Sequence, residues 1–219
     1  MTEKKTCVVK TYFCNLKNVN SREILSPATE IVKDLIRRKP ELLEQQDDEF
    51  GWTPLHYAAH MNATQIIELL LSAKHSVAYI KDHDGMTALH VAAKQGHVSA
   101  MKSLVEICPE ICDAVDNKGQ SALLIAVNSG KSKVLRFILG FFDDDIINMR
   151  DYQGNTALHL AASQPHIRIF CLLVYDRRSS MVASNSGGVT VMDIIQSSVD
   201  YLAFKVCPSI KCGGFFFFF

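Results

Sequence analysis

Long apolar runs are missing from this sequence. The longest aromatic run, Phe215–Phe219, has five residues. A membrane-crossing helix needs about 20 predominantly apolar residues, and no stretch reaches that length. A secretory leader is missing too: Met1–Lys5 is charged and no long apolar run follows it. Charge of one sign is lacking, since 23 Lys and Arg balance 23 Asp and Glu. That balance removes the electrostatic footprint of a nucleic-acid binder or of a protein drawn to an acidic membrane. The short clusters Arg37-Arg38-Lys39 and Arg177-Arg178 read as solvated helix ends, where positive charge suits the helix dipole. Cysteine is present seven times, an odd and scattered set. Neither Cys108 and Cys112 nor Cys207 and Cys212 has zinc-ribbon or RING spacing, so a ubiquitin-ligase module is not supported. The scatter predicts reduced thiols in a cytosolic setting, with Cys171 a small core residue on an apolar helix. Gly-rich phosphate loops, a Ser/His/Asp set and cofactor fingerprints are all absent. The sequence therefore offers no catalytic residues, no cofactor or metal site and no small-molecule substrate.

What is there is a repeat. Glycines stand at Gly51, Gly85, Gly119, Gly154 and Gly188, at intervals of 34, 34, 35 and 34 residues. Asp48, Asp82, Asp116, Asp151 and Asn185 precede them by three. Asp or Asn at the first position and Gly at the fourth suit a type I turn. Two residues after each Gly comes a hydroxyl, at Thr53, Thr87, Ser121, Thr156 and Thr190, where it can accept from a free N–H at a helix start. Pro54 then occupies a first helical position, where its missing N–H costs nothing. Leu55, Leu89, Leu123, Leu158 and Met192 follow as anchors. The pairs Ala58-Ala59, Ala92-Ala93 and Ala161-Ala162 let that helix lie close to a neighbour. Second apolar helices are predicted at Gln65–Leu71, Val98–Ile107, Val134–Leu139 and Ile167–Val174. A fixed period in this range means stacked supersecondary units, and points to a binding surface rather than a catalytic pocket.

The stretch Gly51-Trp52-Thr53-Pro54-Leu55-His56-Tyr57-Ala58-Ala59 resembles the ankyrin repeat. Gly85–Ala93 and Gly154–Ala162 repeat it in phase, and two degraded copies accompany them. The resemblance implies an all-α-rich repeat solenoid of β-hairpin–helix–turn–helix units with a concave binding face. The array spans residues 28–206, with full units at 51–84, 85–118, 119–153 and 154–187 and partial units at 28–50 and 188–206. Residues 1–27 form an irregular N-terminal segment and 207–219 a tail. The connections Arg38-Lys39-Pro40-Glu41-Leu42, Val77–Asp82 and Ile107-Cys108-Pro109-Glu110-Ile111 are similar to those of the plant ankyrin membrane proteins of the accelerated-cell-death type. In that family the array precedes several membrane helices. The resemblance implies defence and salicylate-linked signalling on the cytosolic face of a plasma membrane or endomembrane, with the membrane reached only through a domain absent from these residues.

Three constellations compete with that reading. His56 and His60 have the spacing of a metal-binding helix, but Tyr57 stands where a metalloprotease would carry Glu. His90 and His159 recur in phase with His56, which points to architecture. Asp82-His83-Asp84 reads as a hairpin tip. Asp143-Asp144-Asp145 reads as a solvated acidic loop, whose extra residue makes its unit 35 long.

Both ends look unfinished. Asn18–Glu23 lacks a helix-start signal, and Ala28–Arg38 reads as a lone second helix. In the last unit Asp193 replaces the His, with Ile195 and Gln196 at the small-residue positions and Val199–Val206 as a short apolar helix. Solenoid ends need polar caps, so the expectation is a piece of a longer array. The five terminal Phe resemble translated non-coding sequence.

Binding is expected through other proteins on hairpin tips and first helices. The tip residues are Phe50, Trp52, His83, Met86, Lys118, Gln120, Tyr152 and Asn155; Tyr57, Met61, Lys94 and Gln95 continue the face on the first helices. Phe50, Trp52, Tyr57 and Met61 form the leading hot spot, aromatic anchors being dominant in interfaces; the alternative is that Trp52 packs on the neighbouring hairpin. The fourth unit departs from the pattern, with Leu124 for the recurrent His and Val127 for the second Ala. Its local stability is expected to be lowest, with less hydrogen-exchange protection at 121–140 than at 85–107. The leading function is a non-catalytic interaction module. A free-standing soluble scaffold competing with full-length relatives is the alternative, and a metal or enzymatic protein using the His and Cys residues the third reading.

Overall fold

A computed structural model describes residues 25–142 and 144–197. The predicted helix at Val199–Val206, the N-terminal segment before residue 25 and the Phe tail lie outside the described residues. The chain divides at Asn117 and Lys118 into two compact units.

In the first unit, α1 (Leu25–Arg38) leads into a 3-10 turn at Pro40–Leu43 that buries Leu43. Two helical pairs follow: α2 (Pro54–His60) with α3 (Thr64–Ala73), and α4 (Ala88–Gln95) with α5 (Val98–Ile107). Helix α2 packs on α4 and α3 on α5. The alanine pairs explain the close approach, since Ala58, Ala59, Ala92 and Ala93 are fully buried. Each second helix ends in a 3-10 turn, at His75–Tyr79 and Pro109–Asp113, which tucks Val77, Ala78, Ile111 and Cys112 inward. Gly96 ends α4 in the left-handed conformation that a Cβ disfavours.

In the second unit, α6 (Ala122–Asn128) pairs with α7 (Ser132–Phe141), and α9 (Ala157–Ser163) with α10 (Ile167–Tyr175). Helix α9 packs on α6 and on α11 (Val191–Ser197). Between the pairs, α8 (Asp144–Ile147) is one helical turn. This corrects the expected acidic loop. Ile147 is buried, while Asp144 and Asp145 stand in the first turn, where negative charge suits the helix dipole; Asp145 is exposed, and Asp143 lies outside the described residues. The expected small-residue site at Ile195 is filled by its buried side chain, while Gln196 is exposed.

The hairpins are tight turns with almost no strand. The one bridge among the described residues joins Ser184 and Thr190 antiparallel. The turn at Asp82 closes with Asp82 N–H to Met86 O at 2.9 Å and Gly85 N–H to Asp82 O at 3.0 Å. Asp82 Oδ1 accepts from the N–H groups of Asp84 and Met86. Asp151 treats Gln153 and Asn155 alike. The first hairpin differs from expectation. Asp47, not Asp48, fills the inner position: it is buried, and its carboxylate accepts from the N–H groups of Glu49, Phe50 and Trp52. The turn is one residue longer, so counting back from Gly51 lands on the exposed Asp48.

Candidate functional site

Main-chain rungs join successive tips. In the first unit His83 N–H donates to Phe50 O and Asn117 N–H to Asp84 O, each at 3.0 Å. In the second, Tyr152 N–H donates to Lys118 O at 3.0 Å and Ser186 N–H to Gln153 O at 2.9 Å. The rungs bring the next hairpin against the turn glycine. A Cβ on Gly85, whose φ is +77°, would lie 2.6 Å from Asn117 N. The same atom on Gly188 would meet nothing within 4 Å. Each rung thus pairs a main-chain N–H of one tip with a main-chain carbonyl of the tip before it.

Beneath the tips lies a lock built from Thr and His. Thr53 caps α2: its hydroxyl accepts from the His56 main chain, and His56 answers with its ring. His56 Nδ1 lies 3.2 Å from Thr53 N and 2.8 Å from Thr53 Oγ1. A main-chain N–H can only donate, so Nδ1 is the acceptor and the proton resides on Nε2. Nε2 then donates to Met86 O at 3.0 Å, tying helix α2 to the next hairpin. Burial holds the His56 pKa below the usual imidazole value, against an opposing pull from the Met86 carbonyl and from Asp82 and Asp47. The cap recurs at Thr87 and His90 and at Thr156 and His159; His159 Nε2 lies 3.2 Å from Val189 O, 30 residues on as in the first lock, whereas His90 Nε2 lies 3.1 Å from Ala114 O at the end of the 3-10 turn Pro109–Asp113. Both nitrogens of these rings are occupied, which is how an imidazole serves architecture rather than metal ligation. Among the described residues no group of three His, Cys, Asp or Glu is placed to hold a metal ion.

The twelve expected contact residues separate into three groups. Phe50 is 47% exposed and Tyr152 73%; His83, Lys94 and Lys118 are also exposed. Trp52, Met61, Gln95 and Gln120 are half-buried. Tyr57, Met86 and Asn155 are buried and are withdrawn from the surface. The reasons are specific. Tyr57 donates its hydroxyl to Asp47 Oδ2 at 3.1 Å. Met86 lies under the turn and supplies the carbonyl that His56 uses. Asn155 donates to Asp151 Oδ2 and accepts from Asn185 Nδ2 at 2.9 Å. Trp52 is a joint within the first unit. Its ring packs 5.4 Å from Phe50 and 5.1 Å from Tyr57 and His60, centroid to centroid, and Nε1 donates to Asp82 Oδ2 at 3.1 Å.

Asp47 is the group that sequence spacing missed. Burial would push its pKa up, but the donors from Phe50, Glu49, Tyr57 and Trp52 outweigh that and hold it below the usual carboxylate value. Arg178 was missed too. It is not a solvated end of its own helix. Its guanidinium donates to Leu139 O at 2.6 Å and Phe142 O at 3.1 Å, satisfying the C-terminal carbonyls of α7, while pairing with Asp176 at 2.7 Å. The thiols are also sorted. Cys108 and Cys112 are buried and free, and burial pushes Cys112 up to about 12, an unreactive thiol. Cys171, expected as a reduced core residue, is disulfide-bonded and only half-buried. It lies on a less enclosed side of α10 than Phe170 and Leu173, which fill the core.

The profile of a family described as Ankyrin repeats (3 copies) matches residues 24–111 and 99–185. This chain is an ankyrin-repeat protein. The matched residues contain the three Thr–His pairs at Thr53 and His56, Thr87 and His90, and Thr156 and His159. No curated protein matches the ankyrin chain. Among its described residues no helix is long and apolar enough to cross a membrane.

Proposed function

We propose that the hairpin tips of this ankyrin-repeat protein are a protein-binding surface that catalyses nothing. The observation that carries the proposal is the pairing of rung and side chain. The rungs use up main-chain groups, yet Phe50 stands beside one rung and Tyr152 on another, both open to solvent. Large exposed aromatics on a rigid backbone are what interfaces use as anchors, because little entropy is lost on docking. In the first unit Phe50, His83, Lys94 and the edges of Trp52, Met61 and Gln95 form the candidate surface. In the second it is Tyr152, Lys118 and Gln120. Ankyrin repeats as a family mediate protein–protein contacts, which supports the reading. The finer context rests on the connecting loops: a role on the cytosolic face in plant defence and salicylate-linked signalling, as part of an ankyrin membrane protein of the accelerated-cell-death type.

Two experiments test this. Partners captured from native tissue on the wild-type chain are compared with those captured on Phe50→Ala and Tyr152→Ala. Loss of a partner without loss of thermal stability is expected; undiminished capture by both variants overturns the surface. An immunoblot of fractionated tissue with antibody to residues 82–120 tests the context. A membrane-bound band well above 24.4 kDa is expected. A soluble band near 24.4 kDa would instead favour the free-standing scaffold that competes with its relatives.

A further inference from the structure

The connection Asp176–Ser180 carries an arrangement that partner binding does not use. Arg178 is committed on two sides. Nε and Nη2 grip the Asp176 carboxylate at 2.9 and 2.7 Å, and Nη1 and Nη2 hold the carbonyls that end α7. The Arg178 carbonyl in turn accepts from Asn148 Nδ2 at 3.0 Å. Arg177 is exposed and makes no hydrogen bond or ion pair among the described residues. Ser179 is half-buried, with its N–H on Asp176 O. Ser180 is exposed, lies outside any helix, and its hydroxyl has no hydrogen-bond partner among the described residues. The next residues stay open, Val182 being 82% exposed. The order is therefore Arg-Arg-Ser-Ser, with arginines three and two positions before a free hydroxyl in an irregular, solvated segment. No other hydroxyl in the chain follows two adjacent arginines at that spacing.

We propose that Ser180 is a phosphorylation site for an arginine-directed serine/threonine kinase, recognised through Arg177 and Arg178. Planar guanidinium groups pair bidentately with the carboxylates of an acidic specificity pocket, and an accessible loop can be drawn into an active-site cleft. In the transfer, Ser180 Oγ attacks the γ-phosphorus of a nucleoside triphosphate. The Oγ–P bond forms, the bond from that phosphorus to the bridging oxygen breaks, and the nucleoside diphosphate leaves with the electron pair. The hydroxyl proton passes to the kinase's base, and nothing is oxidised or reduced. Arg178 serves two masters. It closes α7 in the resting chain and must leave Asp176 and the Leu139 and Phe142 carbonyls to enter the kinase pocket, the charged Asp176 being its strongest tie. Recognition is therefore gated by the Asp176–Arg178 pair.

The gate gives variants of opposite sign. The full chain is incubated with the catalytic subunit of cyclic-AMP-dependent protein kinase and radiolabelled MgATP, and initial rates are compared. Wild-type takes up about one phosphate, located by mass spectrometry at Ser180. Ser180→Ala takes up none, and Ser179→Ala keeps the wild-type rate. Arg177→Ala, which removes no structural contact, slows transfer at least tenfold. Arg178→Ala slows it although it loosens the loop, whereas Asp176→Asn, which loosens the same pair but spares both arginines, speeds it severalfold. No incorporation into wild-type, or incorporation that survives Ser180→Ala, overturns the site. Asp176→Asn at or below the wild-type rate overturns the gate.

Discussion

The helix that begins at Pro54 and the helix that begins at Ala122 occupy the same place in the repeat, and the difference that matters between them is a histidine replaced by leucine. Thr53-Pro54-Leu55-His56 becomes Ser121-Ala122-Leu123-Leu124. Both segments are buried throughout. At the first, the hydroxyl, the main-chain N–H and the ring form a closed set that reaches the next hairpin. At the second, no reciprocal cap forms and Ser121 Oγ is buried without a hydrogen-bond partner. A buried polar atom left unpaired costs about 1–3 kcal/mol. One apolar substitution therefore removes the tie and strands its former partner. The last unit offers an intermediate. Asp193 accepts from Thr190 N–H at 2.8 Å and from Thr190 Oγ1 at 2.7 Å, so the cap survives. Those donors keep the Asp193 pKa below the usual carboxylate value, and a carboxylate in that state cannot donate onward to a carbonyl as Nε2 does. The lock thus has two separable halves: a local cap, which Asp can supply, and a link to the next hairpin, which needs the neutral imidazole.

The largest effect should come from imposing the second solution on the first site. His56→Leu removes the bond to Met86 O and strands the Thr53 N–H, an expected loss of about 3 kcal/mol. Trp52, the only Trp in the chain, lies 6.5 Å from the His56 ring, so urea unfolding followed by its fluorescence reads the first unit directly. A loss under about 1 kcal/mol would mean that the lock is ornamental and the comparison empty.

Acid should break the same lock without mutation. Burial depresses the His56 pKa below its unfolded value of 6.5, so the neutral ring's contribution is fully present above about pH 6.5. It is lost as pH falls below that value toward the depressed folded pKa, by up to about 1.4 kcal/mol per pH unit for this one group. A proton on Nδ1 would also face the Thr53 N–H, donor against donor. Asp47, held below 3.8, loses its contribution only at lower pH, so the two windows do not coincide. Hydrogen exchange at 54–60, corrected for intrinsic rate, should weaken between pH 6.5 and 4.5, while 122–128 stays level. Equal weakening in both segments would assign the acid loss elsewhere.

Much of this was legible because the repeat aligns like with like. Period, turn glycines, helix starts and paired alanines each follow from one local rule, and the helices at 54–60, 88–95 and 157–163 stand where those rules put them. The surface was less legible. Period alone cannot say whether a residue one step past the turn glycine points out or in. Trp52, Met86, Gln120 and Asn155 share that step, and two of the four are buried. Asp47 escaped because the first turn is longer by one residue. Arg178 escaped because its acceptors, Leu139 and Phe142, lie 39 and 36 residues earlier and are main-chain carbonyls, which leave no mark on side-chain identity.

A gain should follow from the reverse exchange. Leu124→His offers Nδ1 to the stranded Ser121 hydroxyl and, in the register of His56 and His159, Nε2 to the Asn155 carbonyl, which already accepts from Asp151 N–H at 3.0 Å and has a second lone pair. The expected stabilisation is about 1 kcal/mol net, read as higher exchange protection at 121–130. Wild-type protection at 121–140 should sit below that at 85–107, and the variant should narrow the difference. A variant that lowers protection would show that the fourth unit has repacked around Leu124 and no longer has room for an imidazole.

The smallest effect is the sharpest. Ser121→Ala deletes a hydroxyl that bonds nothing, so stability should change by less than about 0.5 kcal/mol, or rise slightly as a desolvated oxygen is removed. Thr53→Ala and Thr156→Ala remove hydroxyls that cap a helix and meet an imidazole at 2.8 Å, and each should cost about 1–2 kcal/mol. Chemical denaturation of the three variants under one buffer makes the contrast. If Ser121→Ala proves as costly as the threonine variants, Ser121 Oγ has a partner such as a buried water. The fourth unit would then hold a lock of its own, with solvent standing where the other repeats use histidine.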